Sequence, residues 1–300
     1  MEIRTLRYFL AVAQEENMTR AARKLHVTQP TLSKQLQALE EELGAKLFLR
    51  GRLSMKLTET GRLLRDRAEA LVTMADKIQQ EFRSIRDTAG GELYLGLAES
   101  QRIRLLAQVI RCLKERYPNL HYHLTSGGTR PLMEKLDSGL LDFAVLTEPP
   151  DLSRYHAIPF PQAEIWGVVV PREDPLAKQD AIQVEDLVGK PLYCADQCWE
   201  KEIAAWAGSR FSQLTLEGTY TLSFNASMFA QEGLGYLLVF DGLIDTSPES
   251  GMVFVPLTPR TETRLHLVWK KNSVMTPMAK IFREEVRAAF QEGDLADKNA

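Results

Sequence analysis

The sequence predicts an α+β multidomain protein: an N-terminal helix-turn-helix, a long linker helix suited to dimerisation, and a C-terminal α/β domain of two lobes. Three observations carry this. Residues 19–43, TRAARKLHVTQPTLSKQLQALEEEL, read as two helices joined by a short turn. Residues 59–88 hold an apolar stripe with alternating four- and three-residue spacing, the seam of a coiled coil. Beyond a Gly90-Gly91 break, short apolar runs alternate with helical stretches, the pattern of parallel sheets covered by helices on both faces. A chain of 300 residues exceeds one ordinary domain, so each part can bury a core of its own.

In chain order, Leu6–Ala13 supplies a first helix. Thr19 is expected to cap a second, with Ala21, Ala22 and Leu25 facing inward, and His26-Val27 ends it. Thr28 caps a third helix, whose first turn accepts Pro30 because the missing N–H had no intrahelical partner. At about 100° per residue Leu32, Leu36, Leu39 and Leu43 share one arc and must face a core. Pro30, Ser33, Lys34 and Gln37 lie opposite, with Gln29 at the tip. A helix that enters the major groove by its N-terminal end needs such groups, since Gln pairs with adenine and Lys with guanine. An ordinary surface helix pair would show the same amphipathicity, so the helix alone leaves both readings open.

Charge separates them. The chain carries a net −3, unlike a nucleic-acid binder, yet residues 1–65 hold 12 Lys and Arg against 7 acids, a net +5 that leaves −8 for the remainder. A basic head on an acidic body directs phosphate binding to one end. Glu2 and Arg4 stand where a signal peptide needs an apolar core, and no 18-residue apolar run occurs, so a soluble cytoplasmic protein with no membrane partner is expected. Three cysteines, Cys112, Cys194 and Cys198, are too few for a disulfide scaffold.

The flanks of the third helix decide more. With RYFLAVA upstream and GAKLFLR and LTETG downstream, residues 1 to about 65 strongly resemble the N-terminal domain of LysR-type transcriptional regulators, and the rest of the chain follows that family more loosely in element order. The resemblance implies sequence-specific binding of double-stranded DNA at a partly palindromic operator. Gln29, Pro30, Thr31, Ser33, Lys34 and Gln37 would read or position the major groove, and Thr19, Arg20 and Thr28 complete the DNA-facing set. A short hairpin turning near Gly51–Ser54 would make the domain, residues 1–58, a winged helix-turn-helix, with Arg50, Arg52 and Lys56 on the backbone or minor groove; a solvated loop is the alternative.

Thr58 caps the linker helix of residues 59–88, whose stripe is Leu64, Ala68, Leu71, Ala75, Ile78, Phe82 and Ile85. A partner chain could bury this seam and fix two DNA-reading heads at the spacing of two half-sites; packing on the helix's own domain is the alternative. The resemblance implies a homodimer through this helix, tetramers as dimers of dimers, and RNA polymerase as a further partner.

Residues 91–300 then read as two α/β lobes, 91–161 with 267–300 and 162–266, joined by two crossings, as a hinged ligand receptor requires. The resemblance makes this an effector-binding domain similar to periplasmic solute-binding proteins. Ligands in open α/β sheets sit beyond the carboxyl ends of strands, at helix N-termini. That rule selects Glu99-Ser100-Gln101, Gly127-Gly128-Thr129 and Thr147 on the first lobe and Asp196–Trp199, including Cys198, on the second, with Phe224 as a further wall. Ser100 and Thr129 could cradle a carboxylate or serve as plain caps; by resemblance Ser100, Thr129 and Thr147 carry over as effector contacts. Glu99 beside them leaves the effector's charge open. A small-molecule co-inducer is expected, with no other cofactor and no metal.

Other chemistries are weaker. Cys194 and Cys198 invite a thiol-based redox sensor, though the pair straddles a strand-to-helix turn and Cys is readily buried. His121 and His123 lack a nearby third ligand and suit an exposed strand face. No nucleophile elbow, phosphate loop or complete dinucleotide fingerprint occurs, so an α/β enzyme module fused to a DNA-binding head would rest on fold alone and no enzyme is expected. A sequence-indifferent architectural DNA binder would not need Ser33, Lys34 and Gln37 on its groove face.

Overall fold

The computed structural model describes residues 1–300 apart from 52–53, 85–88, 148–150 and 298–300. The chain divides into two compact units, Met1–Arg83 and Ser84–Ala300.

The first unit holds α1 (Ile3–Glu15), α2 (Met18–Lys24), α3 (Gln29–Leu43), the hairpin β1 (Phe48–Arg50) and β2 (Met55–Leu57), and α4 (Glu59–Ser84). Phe9, Val12, Ala21, Leu32, Leu36, Leu39 and Leu47 meet in one core, and the Phe9 and Phe48 rings stand 5.3 Å apart. Two sequence expectations are corrected. Asn17, not Thr19, caps α2: its side chain accepts from Arg20 N at 3.0 Å, so the helix starts earlier and Thr19 lies inside it. Asn reaches the third amide of a helix as well as a hydroxyl does. Leu43 is 41% exposed, because α3 ends at Gly44 in a left-handed turn before it can pack. Thr28 does cap α3, accepting from Thr31 N at 3.4 Å, and Thr58 accepts from Gly61 N at 2.9 Å at the start of α4.

Helix α4 changes the reading of the stripe. Ala68 is fully buried in the head core, with Leu64 and Val72 packed beside it, because the first turns of α4 cover the helix-turn-helix. The seam left open is Leu71, Ile78 and Phe82, with half-buried Ala75; Ile85 lies outside the described residues. Arg7 grips Asp76 with two hydrogen bonds, fixing α1 to the middle of α4.

The second unit continues with β3 (Gly90–Leu97), α5 (Ile103–Arg116), β4 (Asn119–Ser126), α6 (Thr129–Asp137), β5 (Phe143–Leu146) and β6 (Tyr155–Pro159). It then crosses into β7 (Glu164–Pro171), α7 (Val184–Leu187) and β8 (Pro191–Ala195). Helix α8 (Asp196–Cys198) runs through a π-helical turn, Trp199–Ile203, into α9 (Ala204–Ala207), followed by β9 (Thr215–Tyr220), α10 (Ser223–Gln231), β10 (Tyr236–Phe240), β11 (Met252–Pro256) and β12 (Glu262–Thr263). Strand β13 (His266–Lys270) and α11 (Pro277–Asp297) return to the first lobe.

The sheets run β4-β3-β5-β13-β6 and β11-β7-β10-β8-β9, with β12 on the end of β7. They are mixed rather than parallel. In the first, β3, β4 and β5 are parallel and β13 opposes both β5 and β6; in the second, β8, β9 and β10 are parallel and β7 opposes β10 and β11. The two reversed strands are those that arrive from the crossings. A strand that starts at the cleft must run away from it, opposite to strands whose carboxyl ends form the cleft. The crossings lie side by side: Phe160 N donates to Leu265 O at 2.9 Å, and Arg264 Nη1 donates to Phe160 O at 2.7 Å. Each lobe keeps its own core, one around Phe143, Trp269 and Phe282 and the other around Trp166, Leu192 and Leu238.

Candidate nucleic-acid interface and interlobe cleft

On the head, Leu32, Leu36 and Leu39 anchor α3 and turn its opposite wall outward. Gln29, Pro30, Thr31, Lys34 and Gln37 are exposed there, and Ser33 is half-buried at the margin. Gln37 Nε2 donates to Glu41 Oε1 at 3.0 Å, which steadies the amide two turns into the helix. Thr19 and Arg20 are exposed on α2, where Arg20 Nη2 donates to Glu15 O at 2.5 Å. Lys56 is exposed on β2; Arg50 ends β1, and Arg52 lies outside the described residues. The hairpin is tied to α3 by Glu40. This buried carboxylate accepts from Leu47 N at 2.8 Å, Phe48 N at 3.4 Å and Lys46 Nζ at 2.8 Å. Burial pushes its pKa up, but Lys46 and the two amides outweigh this and hold it below the usual value.

In the second unit, the carboxyl ends of β3 and β5 and the N-termini of α6 and α10 meet at the cleft, and side chains bridge it. Glu99 of the first lobe accepts from Ser223 N at 2.5 Å and from Ser223 Oγ at 2.8 Å, at the first turn of α10. Gln197 of the second lobe accepts from Thr129 N at 2.7 Å and donates to Thr147 Oγ1 at 3.2 Å. Gly128 makes room for it: a Cβ there would stand 2.8 Å from Gln197 Oε1. Ser100 donates to buried Glu164, and Gln101 donates to Gly242 O.

Between the lobes lies a gap of about 40 Å³, lined among others by Glu99, Thr147, Trp166, Gln197, Cys198 and Tyr220. A recess of about 420 Å³ outside it is lined by Thr129, Arg130, Asp196 and, shared with the gap, Ala195, Gln197, Tyr220 and Thr221.

The structure thus distributes the candidate effector residues unevenly. Thr147 and Cys198 line the gap and Thr129 the recess. Ser100 and Gln101 bridge the lobes without lining either space. Phe224 is corrected: it is 67% exposed and points away, because α10 turns its preceding residue Ser223 into the cleft. Spacing gave no signal for Ser223 or Tyr220. Arg102 turns toward the crossing, donating through Nη1 to Gln162 Oε1 at 2.5 Å, and Arg104 is exposed.

Cys194 and Cys198 are buried. Burial, with Glu202 and Asp196 adding to it, pushes the Cys194 thiol far up, so it is held protonated and unreactive. His121 and His123 are exposed on β4 either side of Glu92, with His123 Nε2 at 2.8 Å from Glu92 Oε2. No helix among the described residues is long and apolar enough to cross a membrane.

A helix-turn-helix head carried on a chain with a two-lobed receptor body defines a class of ligand-responsive DNA-binding protein. Residues 3–62 match the model for bacterial regulatory helix-turn-helix proteins of the lysR family, and residues 86–291 match the LysR substrate binding domain. The chain belongs to the LysR family. It is 30% identical over 282 residues to the Hca operon transcriptional activator HcaR of Escherichia coli (strain K12), covering 91% of this chain and 93% of that protein. It is 31% identical over 193 residues to the DNA-binding transcriptional dual regulator OxyR of the same organism, covering 64% of this chain and 63% of that protein. In fold it is similar to full-length CbnR crystallised with its target DNA, with a TM-score of 0.76 at 22% identity over 96% of this chain and 100% of that one. The protein is therefore a LysR-type transcriptional regulator with a DNA-binding head and an effector-binding domain.

Proposed function

We propose that this regulator reads its operator through the outward wall of α3, binds as a homodimer joined by the open part of the α4 stripe, and changes state when a small molecule enters between the lobes. Gln29, Thr31, Ser33, Lys34 and Gln37 are the groove-facing groups, with Pro30 shaping the first turn. Thr19, Arg20 and Lys56 serve the phosphate backbone beside them. Leu71, Ala75, Ile78 and Phe82 join two copies, which pair further into tetramers. The protein works in the cytoplasm as a regulator rather than as a catalyst, with no cofactor beyond its effector.

One observation carries this reading: a leucine-anchored helix whose opposite wall is polar, uncrowded and led by an exposed glutamine. Selection of bound sequences from random duplexes should enrich a partly palindromic site. Gln29→Ala should then flatten the preference at one or two positions, a loss of about 1–3 kcal/mol against the best base. Lys56→Ala should weaken selected and random duplexes alike and make binding less steeply salt-dependent. Enrichment of nothing, or equal losses on both duplexes for both variants, refutes the assignment.

A further inference from the structure

We propose that the ligand taken between the lobes is a small organic cation carrying N–H donors, and that Glu99 selects it. This rests on the reading of the gap as the effector site and specifies the chemistry of what enters.

The gap is built against anions. Both helix N-termini that open on the cleft already hold an acceptor supplied by the opposite lobe. Ser223 at the start of α10 donates its amide and hydroxyl to Glu99, and Thr129 at the start of α6 donates its amide to Gln197 Oε1. Among the described residues that line the gap, Glu99 is the one charged group. A carboxylate arriving there would either expel Glu99 from Ser223 or lie unpaired beside it in a poorly solvated space, where like charges interact strongly.

The same lining suits a cation. Only Oε2 of Glu99 is engaged by Ser223; Oε1 accepts no hydrogen bond among the described residues. Thr147, 5% exposed, accepts from Gln197 and can still donate its hydroxyl proton. Trp166, Tyr220 and Phe240 line the gap with aromatic surface, which attracts a desolvated cation. The second carboxylate nearby, Glu164, does not compete, since it is buried outside the lining of the gap, with Ser100 Oγ and Arg102 N donating to its Oε1.

Size adds a mechanical consequence. A volume of about 40 Å³ accommodates only a few waters, so a ring-sized ligand must also use the outer recess. Gln197 lines both spaces and bonds to Thr129 and Thr147 of the other lobe. A ligand that spans both spaces therefore meets the side chain that bridges the lobes and competes with its bonds to Thr129 and Thr147. Binding and lobe orientation are thereby coupled.

Benzamidine, benzamide and benzoate are nearly isosteric and carry one positive, no and one negative charge. Titrated calorimetrically into the full chain, benzamidine should bind at least about tenfold more tightly than benzoate, with benzamide between. Glu99→Gln keeps an oxygen for Ser223 and should erase that preference. Thr221→Trp, at an exposed position shared by gap and recess, should abolish binding. Tighter binding of benzoate to the unaltered protein, or a charge preference that survives Glu99→Gln in a folded variant, overturns the cation assignment and leaves the gap a ligand site. Binding unaffected by Thr221→Trp, or no binding of any of the three, overturns both. The comparison of three probes on the unaltered chain decides the charge question even if a variant fails to fold.

Discussion

Glu40 shows how one side chain can set the geometry of a reading head. It sits about one turn beyond Gln37 on α3 and accepts from the amides of Leu47 and Phe48, so α3 and the hairpin are positioned by a shared carboxylate. Glu40→Ala leaves two buried donors without an acceptor and should destabilise the head by about 2–3 kcal/mol, measured by urea denaturation of the full chain. Its pKa is lowered from 4.5 in the folded protein, so its contribution is complete above that value and is lost as pH falls through the lowered one. Stability curves for the native chain and Glu40→Gln should therefore converge at strongly acidic pH and diverge above about pH 5. The thiols make a second residue-scale prediction. Cys112 is exposed on α5 while Cys194 and Cys198 are buried, so a colorimetric thiol reagent should titrate Cys112 alone in the native protein. Rapid reaction of a second thiol, together with loss of DNA binding after peroxide, would restore the redox reading that Cys194 and Cys198 invite from sequence.

At the scale of elements, α4 divides its labour along its length. Ala68→Asp puts a charge into the head core and should unfold the head, whereas Phe82→Asp, at a side chain 69% exposed, should spare the fold and convert dimers to monomers in sedimentation. Equal sedimentation of Phe82→Asp and the native chain would show that the open seam does not join copies. The stripe was legible because a period of three and four is a local property. Its division was not, because whether Leu64 and Ala68 face a partner or their own head depends on where α1 lies, and the Arg7–Asp76 grip that places it spans 69 residues. Strand positions were legible for the same local reason, notably Phe143–Leu146. Strand direction was not: Leu265–Trp269 reads as a strand in either sense, and only the side-by-side crossings reverse β13 against β5. Strand β6 has three polar or half-exposed positions and a terminal proline, which conceal it from any periodicity.

For the whole molecule, the cleft is where spacing runs out. Ser100, Thr129 and Thr147 could be chosen from strand ends, but Glu99 meets Ser223 across 124 residues and Gln197 meets Thr129 across 68, pairings that exist only once both lobes are folded. Gln197→Ala removes one bridge and should loosen closure, seen as faster amide exchange at Thr129 without loss of either core; unchanged exchange would show that the bridge does not hold the lobes. The interrupted course of the chain has a consequence for biosynthesis. Among the described residues strand β6 pairs with β13 alone, and Phe143 packs on Trp269 and Phe282, so the earlier lobe is completed by residues that follow the later one. The second lobe's sheet is drawn from one uninterrupted stretch, Glu164–Thr263. As the polypeptide leaves the ribosome, the half that emerges second can consolidate first, while the half that emerges first waits with its central slot unfilled until α11 is free.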